Sequence, residues 1–130
     1  MSITSRQLQQ MMIGVTPKKS RYPVVEKHLR TVDGIVFASG REAKRYSQLK
    51  IMERAGEITH LTLQPAFVAY IGGVKFCTYT ADFSYFRNGL DLMIVEDVKS
   101  SGTRIDPAYR LRKKAAEMYH GIHVTEVLMR

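Results

Sequence analysis

The 130 residues, 45% of them apolar, suffice for one buried core and are too few for two ordinary domains. Twenty basic side chains against 12 acidic ones leave a formal charge of +8, which favours an anionic partner and, because the basic residues are spread along the chain, a polyanion over a small acid. No apolar run approaches the roughly 20 residues needed to cross a bilayer, and the chain start lacks a signal-peptide pattern, so a cytoplasmic protein without membrane contact is expected.

Residues 1–22 read as a basic arm with a short helix starting near Ser5, and residues 23–130 as one domain. Asp33-Gly34 is the dipeptide of a two-residue hairpin turn, so residues 24–37 are expected to fold back on themselves. Ser39 followed three residues later by Glu42 is a capping box, and Tyr46, Leu49 and Met52 continue at helical spacing until Gly56. From Ile58 to Tyr70, Leu61, Leu63, Phe67 and Val68 mark extended structure broken at Pro65, and Gly72-Gly73 supplies a turn with strands on both sides. Tyr79, Ala81, Phe83 and Tyr85 alternate with Thr80, Asp82 and Ser84 before Asn88-Gly89, which predicts a hairpin into residues 92–99. Asp106-Pro107 starts a basic helix that runs to Gly121, with Leu111, Ala115 and Met118 as its core stripe, and residues 122–128 form a last strand. The order α-β-β-β-α-β predicts an α/β (α+β) fold with a mixed sheet of about four strands flanked by helices.

A two-residue turn at Asn88-Gly89 sets Asp82 opposite Val95. Directly opposed residues share a face and the strand period is two, so Asp82 then lies on one face with Asp97 and Lys99. The Asp82–Asp97 diagonal is about 7–8 Å at the backbone, near enough for inclined side chains to share one cation. On a solvated strand this would be an ordinary charged pair. The near-continuous apolar run Met93-Ile94-Val95 argues instead for a strand covered on both faces, where acids need partners. Glu96 points to the other face and no partner for it is evident in the sequence. Glu42 lies on the stripe of Tyr46 and Leu49, within reach of the acidic cluster. The lone Cys77 and the spacing of His28, His60, His120 and His123 offer no zinc-binding pattern.

The series Ser39-x-x-Glu42-Ala43, Leu63-Gln64-Pro65, Ala81-Asp82-Phe83 and Val95-Glu96-Asp97-Val98-Lys99 resembles the ordered motifs of the PD-(D/E)xK nuclease superfamily. Within it, the series is most similar to a family of small phage and prophage proteins of largely unassigned function, over about residues 31–128. Ala81 replaces the proline that gives the first half-motif its name. The resemblance implies a restriction-endonuclease-like core, a Mg²⁺ or Mn²⁺ ion held by Glu42, Asp82 and Asp97, Lys99 as the motif lysine, and hydrolysis of DNA phosphodiester bonds. Gln64 is a further candidate for holding water or phosphate. Lys44, Arg45, Arg110, Arg112, Lys113 and Lys114 are candidates for phosphate contacts. Two alternatives stay open: a junction-resolving enzyme, which needs a symmetric homodimer with two sites, and a binding module without catalysis.

Overall fold

The structure, a computed structural model, describes residues 25–100 and 106–129. The arm and short helix expected over residues 1–22 lie outside them. A 3-10 turn (Lys27–Arg30) leads into a small hairpin, β1 (Thr31–Val32) and β2 (Ile35–Val36), turned by Asp33 and Gly34 at φ 51° and 74°. Those two left-handed residues are the geometry that Asp-Gly provides at little steric cost. Helix α1 (Gly40–Arg54) starts at Ser39, whose Oγ accepts the Glu42 N–H at 3.1 Å. The Tyr46 hydroxyl donates to Asp33 Oδ2 at 3.0 Å and so pins the hairpin to this helix.

Strands β3 (Ile58–Leu63), β4 (Ala66–Ile71), β5 (Val74–Thr80), β6 (Phe83–Arg87) and β7 (Met93–Lys99) precede helix α2 (Pro107–His120) and β8 (Val124–Leu128). Asp106 caps α2 by accepting the Ala108 N–H at 3.1 Å, and Gly121 ends it at φ 66°. The main sheet has the order β3-β6-β7-β8, with β7 and β8 parallel and the other neighbours antiparallel. It is therefore mixed, and with its two helices the fold is α+β, consistent with a restriction-endonuclease-like arrangement. Strands β4 and β5 form a separate hairpin, as do β1 and β2; without these two hairpins the order is α-β-β-β-α-β. Among the described residues no helix is long and apolar enough to cross a membrane.

Two cores lie on opposite faces of the sheet. On one, Phe37, Ala43, Tyr46 and Leu49 pack on Ile58, Phe83 and Tyr85; on the other, Phe67, Tyr79, Ala81, Val95, Ala116 and Val124 join the β4–β5 hairpin and α2 to the sheet. The alternation Tyr79, Ala81, Phe83, Tyr85 suggested one strand with one buried face. The chain instead bends at Ala81-Asp82, β5 leaves to pair with β4, and the two halves of the pattern serve different cores. The stripe Leu111, Ala115, Met118 is likewise not core: Leu111 is 57% and Met118 75% exposed, while Ala116 is the buried residue of α2.

Candidate active site

The register corrects one expectation and keeps its consequence. Phe83 pairs with Glu96, Ser84 with Val95 and Phe86 with Met93, so the connection after Asn88 is longer than a two-residue turn. Continued by one residue, this ladder sets Asp82 opposite Asp97 rather than Val95. A slip of two preserves the period-two parity, so Asp82, Asp97 and Lys99 keep their common face.

Asp82 sits at the bend where β5 gives way to β6. Its backbone is fixed on both sides: its N–H donates to the Glu96 carbonyl at 3.1 Å and its carbonyl accepts the Gln64 N–H at 3.0 Å. Its Oδ2 accepts the Val98 N–H at 2.7 Å. Asp97 is 4% exposed, and its Oδ2 accepts the hydroxyls of Tyr79 and Tyr109, the latter at 2.8 Å. Lys99 lays its Nζ over the Tyr109 ring, 3.7 Å from the centroid, at cation–π distance. One side chain of α2 thus touches both Asp97 and Lys99. Nothing in the residues around Tyr109 reports this double contact, which reaches Asp97 across a separation of 12 positions.

Glu42 reaches the same group from the opposite layer. Burial raises its carboxyl to about 7, Asp82 and, less strongly, Asp97 add to the rise, and the Ala38 N–H and Lys99 oppose it. Asp82 is raised by burial and then Glu96, against the Val98 N–H and Lys99. Asp97 is raised by burial and then Glu126, against the Tyr109 hydroxyl, Lys99 and the Asp82 N–H. All three carboxyl groups are poorly solvated, each feels Lys99 as a nearby cation, and each resists ionisation.

A cavity of about 320 Å³ opens beside them, lined by Glu42, Gln64 and Asp82 together with Arg30, Leu63 and the hairpin residues Ile35 and Val36. Gln64 is held at φ 53°, a left-handed conformation that costs a non-glycine residue roughly 1–2 kcal/mol and recurs at functional sites. The hairpin as a wall of this cavity was not legible from its turn signal, which says where the chain reverses and not what it covers.

The basic candidates divide. Arg45 makes two bonds to Glu96, Nε–Oε2 at 2.9 Å and Nη2–Oε1 at 2.6 Å, and the Tyr85 hydroxyl donates to the same carboxylate. This is the missing partner of Glu96, on the α1 side of the sheet. Lys113 is paired with Glu126 at 3.1 Å. Lys44, Arg110, Arg112 and Lys114 are exposed.

The raised Glu42 value carries a sign for stability. A carboxyl whose folded pKa lies above its unfolded one penalises the folded state once ionised, so the penalty is absent below the unfolded range and complete above about pH 7. The metal-free chain is expected to melt roughly 3–6 °C lower near pH 8 than near pH 6 after allowance for solvent screening, and Glu42→Gln should abolish that part of the difference. Calorimetry of both chains checks it; equal pH dependence in the two would refute the burial assigned to Glu42.

No curated protein and no solved structure matches the chain. Residues 20–128 match the family described as "Protein of unknown function (DUF1064)", and the chain belongs to that family.

Proposed function

We propose that the chain is a metal-dependent phosphodiesterase of the PD-(D/E)xK type acting on DNA. The observation that carries this reading is the meeting of Asp82 and Asp97 at the end of the β6–β7 ladder, with Lys99 two residues beyond Asp97 and with Asp82 and Glu42 lining one open cavity. Among the described residues no three acidic, histidine or cysteine side chains form a ready-made metal cage. The donor set nevertheless fits Mg²⁺ or Mn²⁺, since hard carboxylate oxygens suit them and Mg²⁺ uses one or two carboxylates, keeping the rest of its shell for water and phosphate. Asp82 and Asp97 are the pair placed to hold it, and Glu42 adds a third acidic group at the rim. A cation bound there would supply an acidified water and relief of negative charge at the phosphate.

The chain's own groups do the remainder. Lys99 directs a positive charge at the phosphate oxygens or the attacking water, Tyr109 fixes the direction of Lys99 and Asp97 together, and Gln64 offers an amide at the cavity mouth. Exposed Lys44, Arg110, Arg112 and Lys114 are the candidates for holding the DNA backbone, and the net charge of +8 draws the polymer in. The cytoplasm of a bacterial host is the location this reading implies, and a junction-resolving version requires two copies.

The test is incubation with supercoiled, linear, single-stranded and four-way-junction DNA, each with Mg²⁺ or chelator. Cleavage only with the cation supports the reading; salt-dependent binding that leaves every substrate intact indicates a binding module instead. Mg²⁺ without DNA is also expected to raise the melting temperature more near pH 8 than near pH 6, because it offsets ionised carboxylates.

Tyr109→Phe keeps the ring under Lys99 and removes one of two hydroxyls on Asp97. A loss of about 1.4 kcal/mol of orientation predicts a roughly tenfold slower cleavage, with an unchanged fold by circular dichroism. An unaltered rate would mean that Tyr79 alone positions Asp97.

A further inference from the structure

Arg30 is the basic side chain among the residues that line the cavity of Glu42, Gln64 and Asp82, and neither the motif series nor the charge pattern singled it out. Its guanidinium is fixed by the fold: Nε donates to the Val25 carbonyl at 3.0 Å and Nη1 to the Phe37 carbonyl at 2.6 Å, while the Arg30 carbonyl accepts the Phe37 N–H at 2.9 Å. A side chain rich in rotamers is thereby ordered before anything binds, which lowers the entropy cost of using it. Both acceptors are neutral. All 12 acidic side chains lie among the described residues, and none of them forms an ion pair with Arg30, although Glu42 and Asp82 line the same space. Arg45, by contrast, is neutralised by Glu96. A guanidinium has five N–H donors, and the two carbonyl bonds leave both of those on Nη2 free. Among the described residues no buried side-chain nitrogen lacks a partner, so Nη2 is accessible.

We propose that Arg30 is a phosphate-binding residue that holds a phosphodiester of the DNA in this cavity. The inference rests on the DNA-cleaving reading for its polymer and adds a residue which that reading does not use. A phosphodiester has two non-bridging oxygens: one is available to a cation held by the acids, the other to the free donors of Arg30, whose planar fork matches phosphate geometry and keeps its charge at any working pH. This accounts for a guanidinium that shares a cavity with two carboxylates and pairs with neither, since a salt bridge to Glu42 or Asp82 would occupy the anion site and the cation site at once. The rest of the lining agrees. Ile35, Val36 and Leu63 give the cavity an apolar wall, and Val36 is 44% exposed there; such a wall suits the sugar beside a phosphodiester and offers nothing to a free ion. The 3-10 turn and the β1–β2 hairpin, peripheral to the main sheet, thereby gain a task, because Val25 and Phe37 on either side of them set the direction of Arg30.

Salt titrations of DNA binding by the full chain, with chelator so that no cleavage runs, read the number of phosphates engaged. Arg30→Met is expected to reduce the slope by about 0.9 on duplex DNA, or about 0.7 on a single strand, which is one phosphate. Arg30→Lys should keep the slope and weaken binding several-fold, because a point charge replaces a fork. Neither replacement can bond both carbonyls, so an Arg30 that only clamps the turn predicts that the two variants behave alike. Melting curves fix a temperature at which all three chains are folded. With Mg²⁺, Arg30→Met should also raise the KM for DNA at least about tenfold, the scale of one charge-assisted bond. Equal slopes in all three chains overturn the proposal, and so does an equal loss in both variants. Cleavage by the unmodified chain with unmoved slopes removes the phosphate site alone; slopes that move as expected in a chain that never cleaves keep the site and remove the nuclease reading. A chain that binds no DNA overturns both.

Discussion

Lys99→Ala is expected to leave supercoiled DNA intact where the unmodified chain nicks it, a loss of at least about 100-fold, the scale of removing one preorganised charge from a developing oxyanion. The side chain is held over Tyr109 at 3.7 Å, so its direction is set before any substrate arrives. Lys99→Arg should not restore the rate, because a planar guanidinium cannot replace a compact ammonium in a space shaped around it. Asp97→Asn adds a control of opposite sign. It keeps the volume and removes a charge whose burial raises its pKa, so cleavage should fall by a comparable factor while the metal-free chain melts no lower at pH 8. Plasmid nicking and calorimetry on the same preparations check both halves. Full activity of either variant ends the assignment.

Signals confined to a few neighbouring residues transferred from sequence to structure with little loss. Asp33-Gly34, the Ser39 cap, Asp106-Pro107 and Gly121 each act through their own backbone or one turn of helix, and each stands where it was expected. The acidic site was legible for a related reason: strand parity survives a register slip of two, so Asp82, Asp97 and Lys99 stay together although the pairing changed. Asn88-Gly89 located the reversal without fixing its length, and residues 88–92 lie outside the ladder. What could not be read depends on contacts between distant segments. Arg45 and Glu96 are 51 positions apart, Tyr109 meets Asp97 across 12 positions, and periodicity marks Leu111 and Met118 as apolar without saying that they stay exposed.

The Arg45–Glu96 pair carries the largest expected effect on stability. Glu96 is 2% exposed and receives two guanidinium bonds and the Tyr85 hydroxyl. Arg45→Met keeps the aliphatic packing and abandons a buried carboxylate, which typically costs about 3–5 kcal/mol. For a chain of this size that is a melting temperature lower by roughly 10–25 °C. Arg45→Met with Glu96→Leu should recover most of the loss, because an apolar pair of similar volume needs no compensating charge and only the Tyr85 hydroxyl is left to find a new acceptor. The same experiment decides whether Arg45 serves the fold or the DNA. At a temperature where both chains are folded, Arg112→Ala should flatten the salt dependence of DNA binding by about one phosphate contact, and the Arg45→Met/Glu96→Leu chain should leave that slope unchanged. A double variant that stays folded and loses a full contact would assign Arg45 to the polymer, with its bond to Glu96 as the means of aiming it.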